Sequence, residues 1–321
     1  MSTANPVPEN PALRGADARD TLATTSGKEL IGDAIVRFRA ADGFSHARSM
    51  AFVLGLIFVQ GVIALVGLAS AVGSGGLSRT IVRTLETVVP GAAGLLLRDA
   101  VRQAHEAGSS GRWIALTLGL LGALVSGVTL LGQIERALNR IYGTERDRPT
   151  LRKYGLATLL TLSAGVLAVV GFATMMVGND LVNSRDQGTL ATVWNVSRWP
   201  VAAALLAVAT VLVLRWSPRR RQPGLSWLAA GAVVGVTLLT VATIALDLLF
   251  RLSTTFGQTY GPLAGLVALS FWTFAASLSL LLGGAFIAQL EAVRAGAPTP
   301  RTERADAPTP ARPARATLAA G

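Results

Sequence analysis

The sequence predicts an all-α fold, namely a polytopic membrane protein with six transmembrane helices. Hydrophobic residues make up 51% of the 321 residues and charged residues only 15%, and the mean hydropathy is +0.50. Six apolar runs each approach the roughly 20 residues that a helix needs to cross a hydrocarbon core of about 30 Å. These runs lie near 50–73, 112–132, 155–178, 195–216, 225–250 and 262–288.

Composition also limits the chemistry that the chain can perform. It contains no cysteine, which excludes disulfides, thiol nucleophiles and cysteine-based metal sites. Its two histidines, His46 and His105, lie in different predicted segments, too few for a hydrolytic zinc site. No glycine-rich nucleotide-binding motif is present. We therefore expect no catalytic residue, no metal and no cofactor.

The net charge of +11 has two interpretations. In a soluble protein it would indicate a nucleic-acid partner, whereas in a membrane protein Lys and Arg gather in the cytoplasmic segments. With the N-terminus inside, the inner segments contain 21 Lys and Arg residues and the outer segments contain 8. The sequence therefore predicts a multi-pass plasma-membrane protein with both termini in the cytoplasm, and the lipid bilayer, not nucleic acid, as its partner.

The aromatic residues agree with this arrangement of spans. Most tryptophans lie near a predicted span end, where indole rings are enriched at headgroup depth. Only Trp272 lies well inside a span. The tryptophans near span ends are Trp113, Trp194, Trp199, Trp216 and Trp227.

The two ends of the chain differ in composition from the region between them. Residues 1–27 and 295–321 are polar and rich in Ala, Thr and Pro, which predicts disordered tails. The remaining residues, 28–294, form the predicted membrane domain.

Two segments of this domain predict amphipathic helices instead of spans. Residues 28–49 place apolar positions among charges, as in a helix at the membrane surface, with Gly43 at the turn into the first span. Residues 77–111 predict an amphipathic helical hairpin, split at Pro90, that lies on the membrane or caps the bundle.

Small residues recur four apart in three spans and predict close helix contacts. Helices in lipid associate where their backbones approach closely, because burial from lipid adds little driving force. The alternative, that Ala and Gly are merely frequent in this chain, stays open. Such contacts could also form between copies of the chain, so a homo-oligomer is compatible with the sequence. The small residues are Gly119, Ala123 and Gly127, then Gly231 and Gly235, and then Ala275, Ser279, Gly283 and Gly284.

Three polar residues in or beside the spans are candidates for a polar pathway. Asp247 and Arg251 lie one helical turn apart at the end of the fifth span, so their side chains can pair. The alternative for this pair is a boundary ion pair that sets the depth of the span. Gln60 in the first span could line the pathway or form a structural hydrogen bond to another helix.

The segment after the second span contains many charged residues and is a candidate headgroup-binding or gate-forming loop. Arg136, Asn139 and Arg140 share a helix face, and Arg152 follows at the start of the third span. The alternative is a solvated basic loop without a ligand.

Two stretches carry a resemblance to a known family. One is 137–155 (ALNRIYGTERDRPTLRKYG), and the other begins at Tyr260-Gly261, has Trp272 at its centre and closes near Gly283. In these the chain resembles the YihY/BrkB family (virulence factor BrkB) of bacterial inner-membrane proteins, formerly mislabelled as ribonuclease BN. The resemblance implies six helices, a plasma-membrane location and packing roles for the four named residues.

The chain departs from the family pattern in two places. The first span lacks the Tyr-Tyr pair and the Pro that the family usually has there. The family's Gly-Ala-Glu-x-Asn segment corresponds to 283–288 (GGAFIA), so its acidic and amide positions are lost. If those groups contact a ligand in relatives, this chain binds something else or has lost the activity.

Together these observations favour a transport-like role, or handling of lipids or envelope components, without covalent chemistry. The alternative is a structural or scaffolding membrane protein that binds anionic lipid or a partner through its basic loops. A ribonuclease, the former label of the family, is the least favoured function because no acidic or histidine cluster exists to activate water.

Overall fold

The computed structural model describes residues 4–10, 13, 15–71, 80, 84, 108–144, 147–180, 189–252 and 263–301. Within these ranges the chain forms eight α-helices and no β-strand, which confirms the predicted all-α fold. Most of the predicted hairpin over 77–111 lies outside them. The helices are α1 (Gly15–Thr24), α2 (Gly27–Ala40), α3 (Gly43–Ala71), α4 (Gly108–Ile141), α5 (Thr150–Asp180), α6 (Thr189–Trp216), α7 (Leu225–Leu252) and α8 (Ala264–Arg294).

Helices α3 to α8 are each long and apolar enough to cross a membrane, which confirms the six predicted spans. The first span begins at Gly43 and the last ends at Arg294, both beyond the predicted limits, because polar residues there continue the helix. The six apolar stretches are Gly43–Leu65, Leu116–Ile141, Thr150–Met175, Val193–Trp216, Leu225–Phe250 and Ala264–Arg294.

The N-terminal region differs from the predicted disorder. Residues 15–24 form α1, in which Ala18 is buried against a cluster that contains Trp227. Ahead of α1, the side chains of Ala4 and Val7 are buried as well. The structure thus gives these residues a helix and buried contacts where their composition predicts a disordered tail. Their few apolar side chains are covered by distant segments, which the local composition does not reveal.

The predicted amphipathic helix forms as α2, and its apolar residues divide between two faces. Leu30 and Phe38 are buried against the protein, whereas Ile31 and Ile35 are 54% and 45% exposed. The turn that follows requires glycine at Gly43, because a Cβ atom there would overlap the ring of Phe38. The turn predicted at Gly43 is therefore present, and close packing against Phe38 explains why the residue there is glycine.

Helix α8 lies at the centre of the bundle and contacts α1, α2, α3, α4 and α7. Its second half forms the main hydrophobic core, where Leu281 and Ile287 are fully buried and pack with Leu138 of α4 and Met50 of α3. Helix α6 is more peripheral and packs between α5 and α7. The core is therefore concentrated near the C-terminal end of α8.

Small residues bring α7 and α8 together at the predicted positions. A Cβ atom at Gly283 would lie 2.5 Å from the carbonyl oxygen of Gly231, and one at Gly235 would lie 3.1 Å from that of Ser279. These are approaches to backbone atoms, so a side-chain rotation cannot relieve them. We call these four residues the α7–α8 seam.

Helix α4 uses its small residues in the same way against two neighbours. A Cβ atom at Gly119 would lie 2.6 Å from the backbone nitrogen of Ala64 on α3. Gly127 faces the side chain of Thr161 on α5, which a Cβ atom would overlap. Of the predicted small residues on α4, Gly119 and Gly127 therefore lie at helix–helix contacts.

The tryptophans near span ends do not all behave alike. Trp113, Trp199 and Trp216 are 61%, 50% and 50% exposed, as expected of residues at headgroup depth. Trp227 is 0% exposed and packs with Leu30, so its assignment to the headgroup belt is wrong. The N-terminal helices α1 and α2 cover it, and a count of residues along the spans cannot anticipate that cover.

Candidate functional site at the basic end of the bundle

Four segments of the chain meet at one end of the bundle, which we call the basic end. They are residues 4–10, the described parts of the α4–α5 connection (142–144 and 147–149), the α6–α7 connection (217–224) and residues 295–301 after α8. Because successive spans cross the membrane in opposite directions, the predicted topology places all four segments on one side of it. The structure brings these segments together. That this side is the cytoplasm stays a prediction.

Backbone hydrogen bonds hold the N-terminal segment against this end. The N–H of Val7 donates to the carbonyl oxygen of Tyr142 at 3.1 Å, and that of Asn5 donates to Pro300 at 2.9 Å. The next residue, Pro6, packs on Gly143, where a Cβ atom would lie 2.5 Å from the Pro6 Cα. Gly143 also has a positive φ of 74°, so glycine is favoured there twice over.

A buried ion pair lies beneath this segment. The Nη2 atom of Arg220 is 2.8 Å from Oε2 of Glu291 on α8, and both side chains are almost fully buried. The hydroxyl of Tyr142 donates to the other carboxylate oxygen, Oε1, at 3.2 Å. The Arg220 guanidinium also lies over the Tyr142 ring, 4.3 Å from its centroid. Both oxygens of the buried carboxylate are thereby hydrogen-bonded, which a buried charge requires.

The Tyr142 phenol remains a hydrogen-bond donor at every physiological pH. Burial and the neighbouring Glu291 carboxylate both raise the pKa of Tyr142 well above its ordinary value of 10.0. Each favours the neutral phenol, because a phenolate would be desolvated and would repel the carboxylate. The proton of Tyr142 therefore stays in the hydrogen bond to Glu291.

A second buried cation, Arg37 of α2, joins three other segments. Its Nε donates to Oε1 of Gln289 on α8 at 2.9 Å, and its Nη1 donates to the carbonyl oxygens of Asn5 and Ile141. Ile141 is the last residue of α4, where a cation is favoured by the helix dipole. Burial lowers the pKa of Arg37 from its ordinary value to about 10, which leaves it charged at neutral pH.

The α4–α5 and α6–α7 connections are joined through one amide side chain. Asn139 is 1% exposed, and its Nδ2 donates to Oδ1 of Asp147 at 3.1 Å. Its Oδ1 accepts from the backbone N–H of Arg219 at 2.8 Å. Arg219 in turn donates from Nη1 to the carbonyl oxygen of Asp147 at 2.7 Å. Asn139 therefore bridges the two connections from inside the protein.

Arg148 makes a second link between the same connections. Its guanidinium donates to the carbonyl oxygens of Ser217 and Pro218, which directly follow α6. Its backbone N–H donates to Oε1 of the buried Glu135 at 3.1 Å. A cation thus satisfies carbonyl groups at the C-terminus of α6, where the helix itself provides no donor.

Two cationic side chains lie close to the carboxylate of Asp147, beside these links. Its Oδ2 is 3.1 Å from Nζ of Lys153 and 3.7 Å from Nε of Arg136. Partial burial acts to raise the pKa of Asp147, but the hydrogen bonds from Lys153 and Asn139 outweigh it, so the pKa lies below the ordinary 3.8. Asp147 is therefore a carboxylate at neutral pH.

Several buried polar atoms at the basic end have no hydrogen-bond partner within the described part of the chain. They include Nη2 of Arg37, Nε and Nη1 of Arg220 and the Oγ of Ser217. Most of them are donors, and buried donors in proteins normally find an acceptor. The interior of the basic end therefore retains unused donor capacity around the Arg220–Glu291 pair.

A pocket of about 170 Å³ opens beside this network, where α3, α4 and α5 reach the basic end. Its lining includes two cations and no carboxylate. Lys153 is 6% exposed, whereas the side chain of Arg136 is 57% exposed. We call it the α3–α5 pocket, and its polar lining residues are His46, Ser49, Thr129, Gln133, Arg136, Lys153 and Tyr154.

The three residues predicted for a polar pathway lie on two helices, Gln60 on α3 and Asp247 and Arg251 on α7, and Trp272 contacts both helices. Gln60 packs against Gly122 of α4, and its buried Oε1 has no hydrogen-bond partner among the described residues. Asp247 is half-buried near the end of α7, and the side chain of Arg251 lies outside the described parts. A pathway through these residues stays a prediction.

Trp272, which the resemblance assigns to packing, joins α8 to two neighbours. Its Nε1 donates to Oγ1 of Thr243 on α7 at 3.0 Å. Its ring meets that of Phe58 on α3 edge to face, with centroids 4.9 Å apart. Gly283 lies in the α7–α8 seam, while Tyr260 and Gly261 lie outside the described residues.

The candidate headgroup-binding or gate-forming loop is divided by the structure. Asn139 is buried and bridges two connections, so it cannot face a headgroup directly. Arg136 lines the α3–α5 pocket, Arg140 is half-buried, and Arg152 is exposed outside the pocket lining. Of the four predicted residues, Arg136 therefore lines the α3–α5 pocket and the other three do not.

Sequence reasoning missed most of the buried network. Glu291 and Gln289 occur in the last turns of an otherwise apolar helix, which was a detectable signal of a buried polar contact. They follow by about one helical turn the positions at which the family pattern has its acidic and amide residues. Lys153 and His46 gave no such signal, because single polar residues at span ends are ordinary.

The helices and the basic end define a polytopic α-helical membrane protein. Residues 34–308 match the family model described as "Virulence factor BrkB". This match covers most of the chain, so the chain belongs to the BrkB family. The family expected from the sequence is thereby confirmed.

Individual relatives are similar over parts of the chain. A UPF0761 membrane protein of Halorhodospira halophila is 30% identical over 189 residues, which cover 58% of this chain and 41% of that protein. A UPF0761 membrane protein of Alteromonas mediterranea is 27% identical over 187 residues, 54% of this chain and 58% of that protein. The chain thus matches only about half the length of these relatives. No solved structure matches the chain.

One relative carries a name that points to chemistry. YfkH of Bacillus subtilis, whose name describes it as ribonuclease-like, is 24% identical over 215 residues, 64% of this chain and 74% of that protein. Among the described residues, no three His, Asp or Glu side chains gather where they could hold a metal ion. The other relatives named above are described as membrane proteins without an activity.

Proposed function

We propose that this chain is a plasma-membrane protein that handles a lipid or another envelope component without covalent chemistry, with both termini in the cytoplasm. The observation that carries the proposal is the α3–α5 pocket. It is cationic, and it lies where three spans reach the predicted cytoplasmic surface. An anionic group at the membrane surface fits this position better than a soluble substrate inside the bundle does.

The distribution of charge along the spans supports passive handling over ion-coupled transport. Coupled transporters place ionisable groups or broken helices near the bilayer midplane. In the six described spans, the charged residues all lie within two turns of a span end, including Asp247 and Arg198. Between these ends the described helices meet mainly through small and apolar residues, with the neutral hydrogen bond from Trp272 to Thr243 among the polar contacts.

Reconstitution into liposomes tests this function. Vesicles with a fluorescent phosphatidylglycerol in both leaflets are treated with a membrane-impermeant quencher, with and without the full chain. We expect the protein to raise the quenched fraction above the half that protein-free vesicles show. The substitution Lys153→Gln should lower the rate at which lipid from the inner leaflet becomes quenched. Equal quenching with and without the protein would count against lipid movement.

A scaffolding role is the second candidate, and one observation favours it. The basic end has an exposed rim of arginines, among them Arg39, Arg152 and Arg221, that can attract an anionic membrane surface. Each such cation near the surface contributes about 1 kcal/mol of attraction. A protein that binds anionic vesicles but moves no lipid would support this role.

A further inference from the structure

We propose that the α3–α5 pocket binds a phosphate ester anion, and that this anion is the headgroup phosphate of a membrane phospholipid. The proposal deepens the proposed function, on which its biological meaning rests. The binding itself is a separate property that can be measured without any lipid movement.

The charge of the pocket is the first reason. Lys153 and Arg136 line it, and none of its lining residues is acidic. An ammonium group has three N–H donors, and Asp147 accepts one of those of Lys153. Because Lys153 is 6% exposed, an anion in the pocket would interact with its charge through little intervening water.

Neutral donors complement the two cations. The hydroxyl of Ser49 donates to Oε1 of Gln133 at 3.2 Å, which leaves the amide N–H groups of Gln133 for another acceptor. His46 and Tyr154, whose side chains each contain a polar group, also line the pocket. A phosphate group has several acceptor oxygens and can use donors from all three helices at once.

The position of the pocket is the second reason, because it lies at the ends of three spans, the level at which lipid headgroups are expected. His46 and Lys153 lie in the first turn of their spans, α3 and α5, and Arg136 lies in the last two turns of α4. Two helix N-termini therefore point their partial positive charge toward this level. Tyr154 is 48% exposed beside the pocket, as tyrosines at the membrane–water interface usually are.

The size of the pocket and its surroundings indicate a lipid as the source of the phosphate. A volume of about 170 Å³ holds a phosphate group with part of its ester but no acyl chain. Exposed apolar side chains lie beyond the pocket along α3 and α5. Phe52, on the same face of α3 as Ser49, is 72% exposed, and Leu162 of α5 is 54% exposed. Acyl chains can lie along these side chains while the phosphate occupies the pocket.

Calorimetric titration of the purified full chain in a nonionic detergent tests the proposal. The probe is a short-chain phosphatidic acid, with the corresponding phosphatidylcholine as the zwitterionic comparison. We expect Lys153→Gln and Arg136→Gln each to weaken phosphatidic acid binding on the order of tenfold, the size expected for the loss of a charged hydrogen bond. Arg136 is largely exposed, so its variant remains informative if Lys153→Gln fails to fold.

Arg48→Gln is the matched control. Arg48 is an exposed cation on α3, next to Ser49 but outside the pocket lining, and its loss removes the same charge. We expect it to change the affinity by about twofold at most, as is usual for an exposed charge. The proposal is overturned if phosphatidic acid does not bind, or if Arg48→Gln weakens binding as much as Arg136→Gln does.

Competition with inorganic phosphate identifies the source of the anion. Failure of a large excess of phosphate to displace phosphatidic acid would support a lipid headgroup. Displacement at equal concentrations would overturn the lipid assignment and leave a soluble phosphate ester. Binding that depends on the pocket, together with absence of lipid movement in liposomes, would reject the proposed function and leave the binding site standing.

Discussion

The α7–α8 seam and the basic end join the same helix, α8, to its neighbours through different interactions. At the seam, Gly231 and Gly283 bring two backbones into contact. About two turns further along α8, Gln289 and Glu291 are buried in hydrogen bonds with Arg37 and Arg220. One contact depends on the absence of side chains, and the other depends on paired charges.

The difference follows from the depth of each contact in the membrane. In the hydrocarbon region, lipid competes equally for apolar side chains, so helices are held by shape and close approach. Near the surface, charged side chains can be buried once they are paired, and they join segments that hydrophobic packing alone would not order. The N-terminal segment and both connections are attached by hydrogen bonds from buried polar and charged side chains, in addition to the backbone bonds of Asn5 and Val7.

The largest expected effect comes from breaking the buried pair. Replacing Glu291 by leucine leaves Arg220 buried without its partner, and the loss of one member of such a pair destabilises a protein by about 3–5 kcal/mol. Unfolding of the full chain in mixed micelles with increasing denaturing detergent would measure the loss. The double substitution Glu291→Leu with Arg220→Met should recover much of it, since no unpaired charge remains. A double variant as unstable as the sum of the two single variants would contradict this account.

A smaller effect is expected at the seam. In Gly283→Leu the new side chain meets the backbone of α7, and overpacking of this kind costs about 1–3 kcal/mol or more. The control is Gly165→Leu on α5, because a Cβ atom at Gly165 has no neighbour within 4 Å. The same unfolding assay should separate the two variants. Equal stability of Gly283→Leu and the wild type would show that the seam does not hold the helices.

Trp272 tests whether one hydrogen bond strengthens a contact between spans. Trp272→Phe removes the donor to Thr243 while it keeps an aromatic ring against Phe58. We expect a loss of about 0.6 kcal/mol, the average for such bonds between membrane helices. In a Thr243→Val background the same substitution should cost less, because the bond is already absent. An unchanged cost would assign the effect to ring packing.

The smallest expected effect concerns acid stability at Asp147. Its pKa is lower in the folded chain than the ordinary 3.8, so its contribution is complete above pH 3.8 and is lost as the pH falls through the lower folded value. The carboxylate is 38% exposed, so solvent screens much of the effect. Unfolding measured from neutral pH down to about pH 3 should show a shallower acid loss for Asp147→Asn. A steeper loss in that variant would contradict the sign.

The sequence was a good guide wherever one helix decides the outcome alone. The six spans, the turn at Gly43 and the small residues of α7 and α8 follow from apolar length and residue size. It was a poor guide where distant segments meet. The sequence predicts Trp227 and Asn139 at the surface. In the structure α1 covers Trp227, and Asn139 is hydrogen-bonded to the α6–α7 connection.

The sequence by itself determined a six-span helical membrane protein of the BrkB family, because length, apolarity and local motifs are properties of contiguous residues. The tertiary structure decided which polar residues act together. Lys153 and His46 belong to one pocket, and Arg220 and Glu291 to one ion pair, only because three or four helix ends meet at the basic end. The fold brings together charges that are distant along the chain. The free energy of burying each charge then depends on whether it is paired.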